Sequence, residues 1–131
     1  MSDQIIHARD VMQTQVLSID GMTSTKEAAA MMRSSQVSEL LVDKRNEDDA
    51  WGIVTIMDLV KSVFVPERDA EHVFVYEIMT KPAITVPGQM DIRYVIRLMQ
   101  RINIRRTPVE EKGEIVGMIT LSGLVLNHEI F

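Results

Sequence analysis

A chain of 131 residues, 46% apolar and 25% charged, has enough material for one folded domain with a real core, and this composition excludes a disordered or collagen-like chain. Fourteen Lys and Arg against nineteen Asp and Glu give a net charge of −5, which disfavours a surface built for nucleic acid. No cysteine is present, so disulfides, thiolate zinc sites, iron–sulfur clusters and thiol nucleophiles are ruled out.

The opening MSDQIIHARD lacks the charged and then apolar pattern of a signal peptide. No stretch approaches the ~18 consecutive apolar residues of a membrane helix. A cytoplasmic protein with no membrane association is expected.

The elements come twice. Residues 11–43 lie on residues 78–110 without a gap, so that Met12 falls on Met79, Gly21 on Gly88, Met32 on Met99 and Val42 on Val109. Residues 51–60 then lie on 116–125, with Gly52 on Gly117 and Thr55 on Thr120. The first copy opens with a short helix at RDVM (9–12) and a strand at VLSI (16–19), followed by a turn at Gly21. A helix follows with Thr25, Ala28, Ala29, Met32 and Ser35 on its inner face. Strands VSELLV (37–42) and WGIVT (51–55) come next. A second helix carries Ile56, Leu59, Val60, Val63 and Phe64 on one stripe and ends at Pro66.

The second copy repeats this order. A helix at YEIM (76–79) leads into the strand AITV (83–86) and a turn at Pro87–Gly88. The next helix has the face Ile92, Val95, Ile96, Met99 and Ile102. IRRTPV (104–109) and IVGMIT (115–120) form a hairpin around EEKG (110–113), and a last stripe runs through Leu121, Leu124, Val125 and His128. Each copy is β-α-β-β-α. A lone three-stranded sheet leaves one face bare, so the two copies are expected to pack together with pseudo-twofold symmetry. The expected class is α/β (α+β), with repeat 1 at 1–64, a polar crossover at 65–76 and repeat 2 at 77–131.

The residues that open and close each copy carry a family resemblance. VM (11–12) and IMT (78–80), NIRRTPV (103–109), GIVTIMD (52–58) and GMITLSG (117–123) resemble a tandem pair of CBS (cystathionine beta-synthase) domains, a stand-alone Bateman module. The resemblance covers nearly the whole chain. It implies a regulatory or sensing module that does no chemistry of its own. It also implies an adenine nucleotide or related adenosine ligand held in a cleft between the two repeats, and disk-like homodimers formed through helices. With no catalytic or transport domain in these residues, output is expected through a protein target in trans or a change of oligomer.

The resemblance points to specific residues. In the main cleft, Asp58 would accept the ribose hydroxyls, with Thr55 toward phosphate. Ala83, Ile84 and Ile104 would line the base with Thr80 near by, and Arg105 or Arg106, with Arg106 preferred, would meet the phosphates. The second cleft would use Val16, Leu17, Val37, Ser38 and Thr120. There Gly123 stands where the carboxylate should be, so the two clefts are expected to be unequal. Thr-x-x-Asp at a helix start is also the pattern of a capping box, which needs no ligand, and both roles are compatible for Thr55.

Other residues have plainer readings. Arg93, Arg97 and Arg101 form a solvated helix face, with a subunit interface or an acidic partner as the sharper alternatives. His7, His72 and His128 show no metal-ligand spacing and read as surface or interface residues, so no metal site is expected. The ten methionines read as core filling. No phosphate-loop glycine pattern and no nucleophile–base pair occur, so no enzyme and no catalytic cofactor are expected. The expected ligands are AMP, ADP or ATP first, then NAD or S-adenosylmethionine. The competing expectation is a ligand-free scaffold for dimerisation or protein interaction.

Overall fold

A computed structural model describes residues 4–131, so the first three residues of the expected first repeat lie outside the described residues. In chain order the elements are α1 (Ala8–Val11), β1 (Ser18–Ile19), α2 (Thr25–Ser35), β2 (Glu39–Val42), β3 (Gly52–Thr55), α3 (Ile56–Leu59), a π-helical turn (Val60–Phe64), α4 (Val75–Ile78), β4 (Val86–Pro87), α5 (Ile92–Arg101), β5 (Arg106–Glu111), β6 (Glu114–Thr120) and α6 (Leu121–Asn127). The β-α-β-β-α order therefore stands in both copies. The strands form two sheets, β1-β2-β3 and β4-β5-β6. In each, the first pair is parallel and the second antiparallel, with Ser18 opposite Leu41 and Val86 opposite Val109.

The compact units do not coincide with the repeats. One unit is Leu17–Ala83; the other joins the residues up to Val16 to Ile84–Phe131. Each sheet is extended by the segment that leads into the other copy. In the 17–83 unit, Ile53 and Thr80 exchange both backbone hydrogen bonds at 2.9 Å. In the other unit, Gln13 and Met118 do the same at 2.8 and 2.9 Å. The outer edges of β3 and β6 carry backbone groups that need partners, and these segments supply them. The crossover is polar only in part. Val73 and Val75 join Ile78 in the core that β2, β3 and α2 build around Leu40, Val54, Ala28 and Met32. Burying each such aliphatic is worth about 1.5–3 kcal/mol. The second core gathers Ala8, Val86, Val95, Met99, Val109, Ile119 and Leu124.

Two expectations need correction. The first strands are shorter than VLSI and AITV. Gln36 and Asn103 take left-handed backbone (φ 54° and 58°) as the helices end, so β2 and β5 join the ladder only at Glu39 and Arg106. Val16, Leu17, Ala83, Ile84, Val37, Ser38, Ile104 and Arg105 consequently sit just outside the paired strands. The stripe Ile56–Phe64 is not one buried face. Its second half winds as a π-helical turn, closed by Val65 N–H to Val60 O at 2.9 Å. Only Val63 is buried; Ile56, Val60 and Phe64 face solvent, Phe64 at 78% exposure.

Candidate functional site

Each antiparallel hairpin ends on a threonine that starts a helix. In the 17–83 unit, Thr55 has extended backbone and caps α3 by accepting the Asp58 N–H at 3.2 Å. Asp58 answers with one oxygen. Its Oδ2 accepts the Thr55 N–H at 2.8 Å and the Thr55 hydroxyl at 3.1 Å. This is a complete capping box, so the cap reading of these residues is correct as far as it goes. Asp58 is half-buried, and among the described residues no hydrogen bond reaches its Oδ1. One carboxylate oxygen is thus fixed by the fold while the other is left to accept.

The neighbours of this turn come from the start of β2 and from the lead-in to the second copy. Ser38 O accepts the Ile56 N–H at 3.0 Å, and the Ser38 hydroxyl bonds Glu39 Oε1 at 2.7 Å. Glu39 is buried and lies opposite Thr55 in the ladder. Thr80 is exposed and held by its pairing with Ile53, two residues before Thr55. Ala83 donates its N–H to Trp51 O at 2.7 Å. Next to Thr80, Lys81 Nζ lies 2.6 Å from Asp49 Oδ2, which also meets Arg45 Nε at 3.2 Å. Lys81, helped by the Arg45 backbone N–H, holds the Asp49 carboxyl well below the usual carboxylate range. Leu17 and Val37 are half-buried in this unit, Leu17 O accepting from Leu41 N–H at 3.0 Å.

In the other unit, Thr120 caps α6 in the same way, accepting the Gly123 N–H at 2.9 Å. No carboxylate returns the bond, because position 123 has no side chain. Gln13 takes up that space. A β-carbon at position 123 would lie 2.7 Å from Gln13 Nε2 and 2.7 Å from Thr120 Oγ1. Arg106 lies opposite Thr120 on β5, half-buried, and Arg105 just before the strand is exposed, its carbonyl accepting the Leu121 N–H at 3.0 Å. Ile84 O accepts the Thr107 hydroxyl at 2.7 Å, and Ile104 N–H donates to Met99 O at 2.9 Å. Val16 is half-buried.

The eight residues expected to line the cleft with Asp58 therefore divide. Thr55, Asp58, Thr80 and Ala83 belong to the 17–83 unit, and Ile84, Ile104, Arg105 and Arg106 to the other. Leu17, Val37 and Ser38 fall in the first unit, Val16 and Thr120 in the second. Sequence reasoning missed Gln13 and Glu39. Gln13 was within reach, since the gap-free repeat sets it on Thr80, which had been singled out. No described group of three or more His, Cys, Asp or Glu is placed to hold a metal ion. No helix among the described residues is long and apolar enough to cross a membrane.

Two sheets of this order, each closed by a threonine-capped helix, define a tandem β-α-β-β-α protein. The sequence matches the CBS domain family over residues 8–65 and 75–127, and the chain belongs to that family. Tandem CBS domains are generally regulatory modules rather than enzymes. The chain is similar to a hexameric CBS-CP12 protein from bloom-forming cyanobacteria, at 32% identity and TM-score 0.91 over 95% of this chain and 72% of that one. It is also similar to a conserved protein from Pyrococcus horikoshii, at 31% identity and TM-score 0.83 over 95% of this chain and 92% of that one. Among sequence relatives, an uncharacterized protein of Methanopyrus kandleri is 27% identical over 88% of this chain and 59% of its own length. A homoserine O-acetyltransferase of Methanocorpusculum labreanum is 33% identical over 91% of this chain but only 23% of its own length. The chain thus spans about three-fifths and one-quarter of these two relatives.

Proposed function

We propose that this CBS pair is a cytoplasmic sensor of an adenosine-containing ligand, with AMP, ADP or ATP ahead of NAD and S-adenosylmethionine, and that it signals through a homodimer or a protein target. The observation that carries the reading is the Asp58 carboxylate. Its Oδ2 is consumed by Thr55 while Oδ1 has no hydrogen bond among the described residues. A carboxylate oriented by one oxygen and open at the other is a rigid acceptor for ribose hydroxyls. Thr55 bonds to it, and Thr80 is held against Ile53, two residues before Thr55.

A thermal melt against AMP, ADP, ATP, NAD, S-adenosylmethionine and a guanosine control tests this. One adenosine ligand at a hundredfold excess over its Kd should stabilise the fold by about 2.7 kcal/mol. Asp58→Ala and Asp58→Asn should both abolish the shift. Asp58→Asn should melt near the parent without ligand, because an amide oxygen can still accept the Thr55 N–H. No shift with any ligand, in protein free of co-purified nucleotide, would refute the sensor.

A second reading, a ligand-free interaction scaffold, is favoured by a different observation. Ile56, Val60, Phe64 and Val65 expose apolar surface along α3 and the π-helical turn, beside a groove of about 710 Å³. Val125 and Leu126 do the same on α6. Such patches mark contact surfaces, and the cyanobacterial relative is a hexamer.

A further inference from the structure

The two threonine turns differ in one place, and the difference is filled from elsewhere in the chain. In the first repeat Ile56 N–H bonds Ser38 O, so the Thr55 N–H faces away from β2 and meets Asp58 Oδ2 at 2.8 Å. In the second, Leu121 N–H bonds Arg105 O, so the Thr120 N–H likewise faces away from β5. No carboxylate waits there, because position 123 is glycine. The backbone pairing of Gln13 with Met118, at 2.8 and 2.9 Å, fixes the Gln13 Cα on the neighbouring segment, two residues short of Thr120. From there the Gln13 amide reaches the volume a side chain at 123 would fill, with Nε2 at 2.7 Å from the position of its β-carbon.

We propose that Gln13 occupies, at the Thr120 turn, the place the Asp58 carboxylate holds at the Thr55 turn, and that this occupancy adds to the missing carboxylate in keeping a ribose from the second repeat. The proposal rests on the reading of Asp58 as the ribose acceptor. An amide is neutral and offers one acceptor atom beside a donor, whereas a carboxylate offers two charged acceptors. Gln13 therefore fills the space without replacing the chemistry. Its repeat mate Thr80 is too short to do the same at the first turn, where the carboxylate stands. The module is accordingly a one-adenosine sensor whose second turn is closed by its own N-terminal segment.

Isothermal titration with AMP, and separately with ATP, tests this on the full chain and on Gln13→Ala, Gly123→Asp and the double variant. The parent and Gln13→Ala should bind one nucleotide. Gly123→Asp should gain a second binding event, and removing Gln13 in that background should tighten it about fivefold or more, the scale of one hydrogen-bonding group displaced. A second event in the parent would overturn the proposal, and so would a double variant that binds no tighter than Gly123→Asp. If the parent binds neither nucleotide, the ribose reading of Asp58 fails and the occupancy is judged by melting alone. A new carboxylate completes the Thr120 capping box only where Gln13 yields. Gly123→Asp should then raise the midpoint by roughly 3 °C more in the Gln13→Ala background than in the parent. Equal shifts in the two backgrounds would overturn the occupancy.

Discussion

Gly117→Ala gives a sharp test of how the N-terminal segment is held. The added carbon would lie 2.3 Å from Met12 Sδ, 2.7 Å from Met12 Cγ and 2.9 Å from Gln13 O. Met12 can swing aside, at the loss of about 1 kcal/mol of packing against the second core. Gln13 O cannot, because it is the acceptor in the bond from Met118 N–H at 2.9 Å. Moving it a few tenths of an ångström weakens both bonds of that pair, each worth about 1 kcal/mol. Alanine recovers about 0.4–1 kcal/mol by restricting the unfolded chain. The net cost is about 2 kcal/mol, or a midpoint lowered by roughly 6–10 °C for a chain of this size.

The repeat mate supplies an internal control. At Gly52 the nearest atoms are Met79 Sδ at 3.1 Å, Val42 Cβ at 3.2 Å and Thr80 O at 3.4 Å, so Gly52→Ala should cost about 1 kcal/mol or less. Urea unfolding of the two variants, with hydrogen exchange at Gln13 and Met118, measures both effects. Exchange at those two amides should rise in Gly117→Ala and stay at the parent level in Gly52→Ala. If Gly117→Ala proves as stable as the parent, or no less stable than Gly52→Ala, the account of how the segment docks is wrong.

Two further outcomes follow from burial and charge. Met99 is fully buried and Met57 is half exposed, so Met99→Ala should lose about 2–5 kcal/mol in chemical denaturation while Met57→Ala stays within about 0.5 kcal/mol. The Arg93 side chain, and then its backbone N–H, lowers the Asp91 carboxyl from 3.8 to about 2. A folded-state pKa below the unfolded one gives stability that is complete above the unfolded value and is lost as the carboxyl protonates. Asp91 should therefore contribute fully above about pH 4 and lose its contribution between pH 3.8 and about 2. Asp91→Asn should flatten that part of an acid-unfolding curve, and an NMR titration midpoint of Asp91 at or above 3.8 would refute it.

The repeat, the element order and the threonine turns were legible in the sequence because each rests on a local signal. Apolar spacing located α2 and α5, and Thr55 and Thr120 marked the two helix starts. The exchange of lead-in segments was not legible. RDVM and YEIM read as openings of their own copies, and nothing in their spacing says which sheet edge they will cover. Backbone pairing decides that, and it is blind to side-chain identity. The burial of the helix after Thr55 was not legible either. Ile56, Leu59, Val60, Val63 and Phe64 keep a 3.6-residue pattern, but the stripe is wider than the face it packs on: Val63, with Leu59 against it, belongs to the core while Ile56, Val60 and Phe64 stay exposed. At the site, Asp58 was legible from Thr-x-x-Asp. The partner of the missing carboxylate was not, because Gln13 lies 110 residues away from Gly123 in the chain.

The exchange bears directly on how such a module would signal. Within the 17–83 unit the threonine turn comes from the first repeat, but the residue that pairs beside it, Thr80, belongs to the segment leading into the second. A ligand seated on Asp58 and touching Thr80 would restrain a segment that continues six residues later as β4, beginning at Val86. At the Thr120 turn the corresponding residue is Gln13, on the segment that leads into β1 at Ser18. Ligand contact at one repeat would therefore act on the covalent entry to the other. Restraint at Thr80 need carry only a few kcal/mol to shift a population, because a ligand moves an equilibrium by its differential affinity for the two states and no further. Lys81→Gly separates contact from transmission: it leaves Asp58 and Thr80 in place while removing the ion pair to Asp49 that tethers the segment. Nucleotide should still bind, and hydrogen exchange at β4 should no longer slow when it does. Slowing equal to that of the parent would refute transmission through this segment.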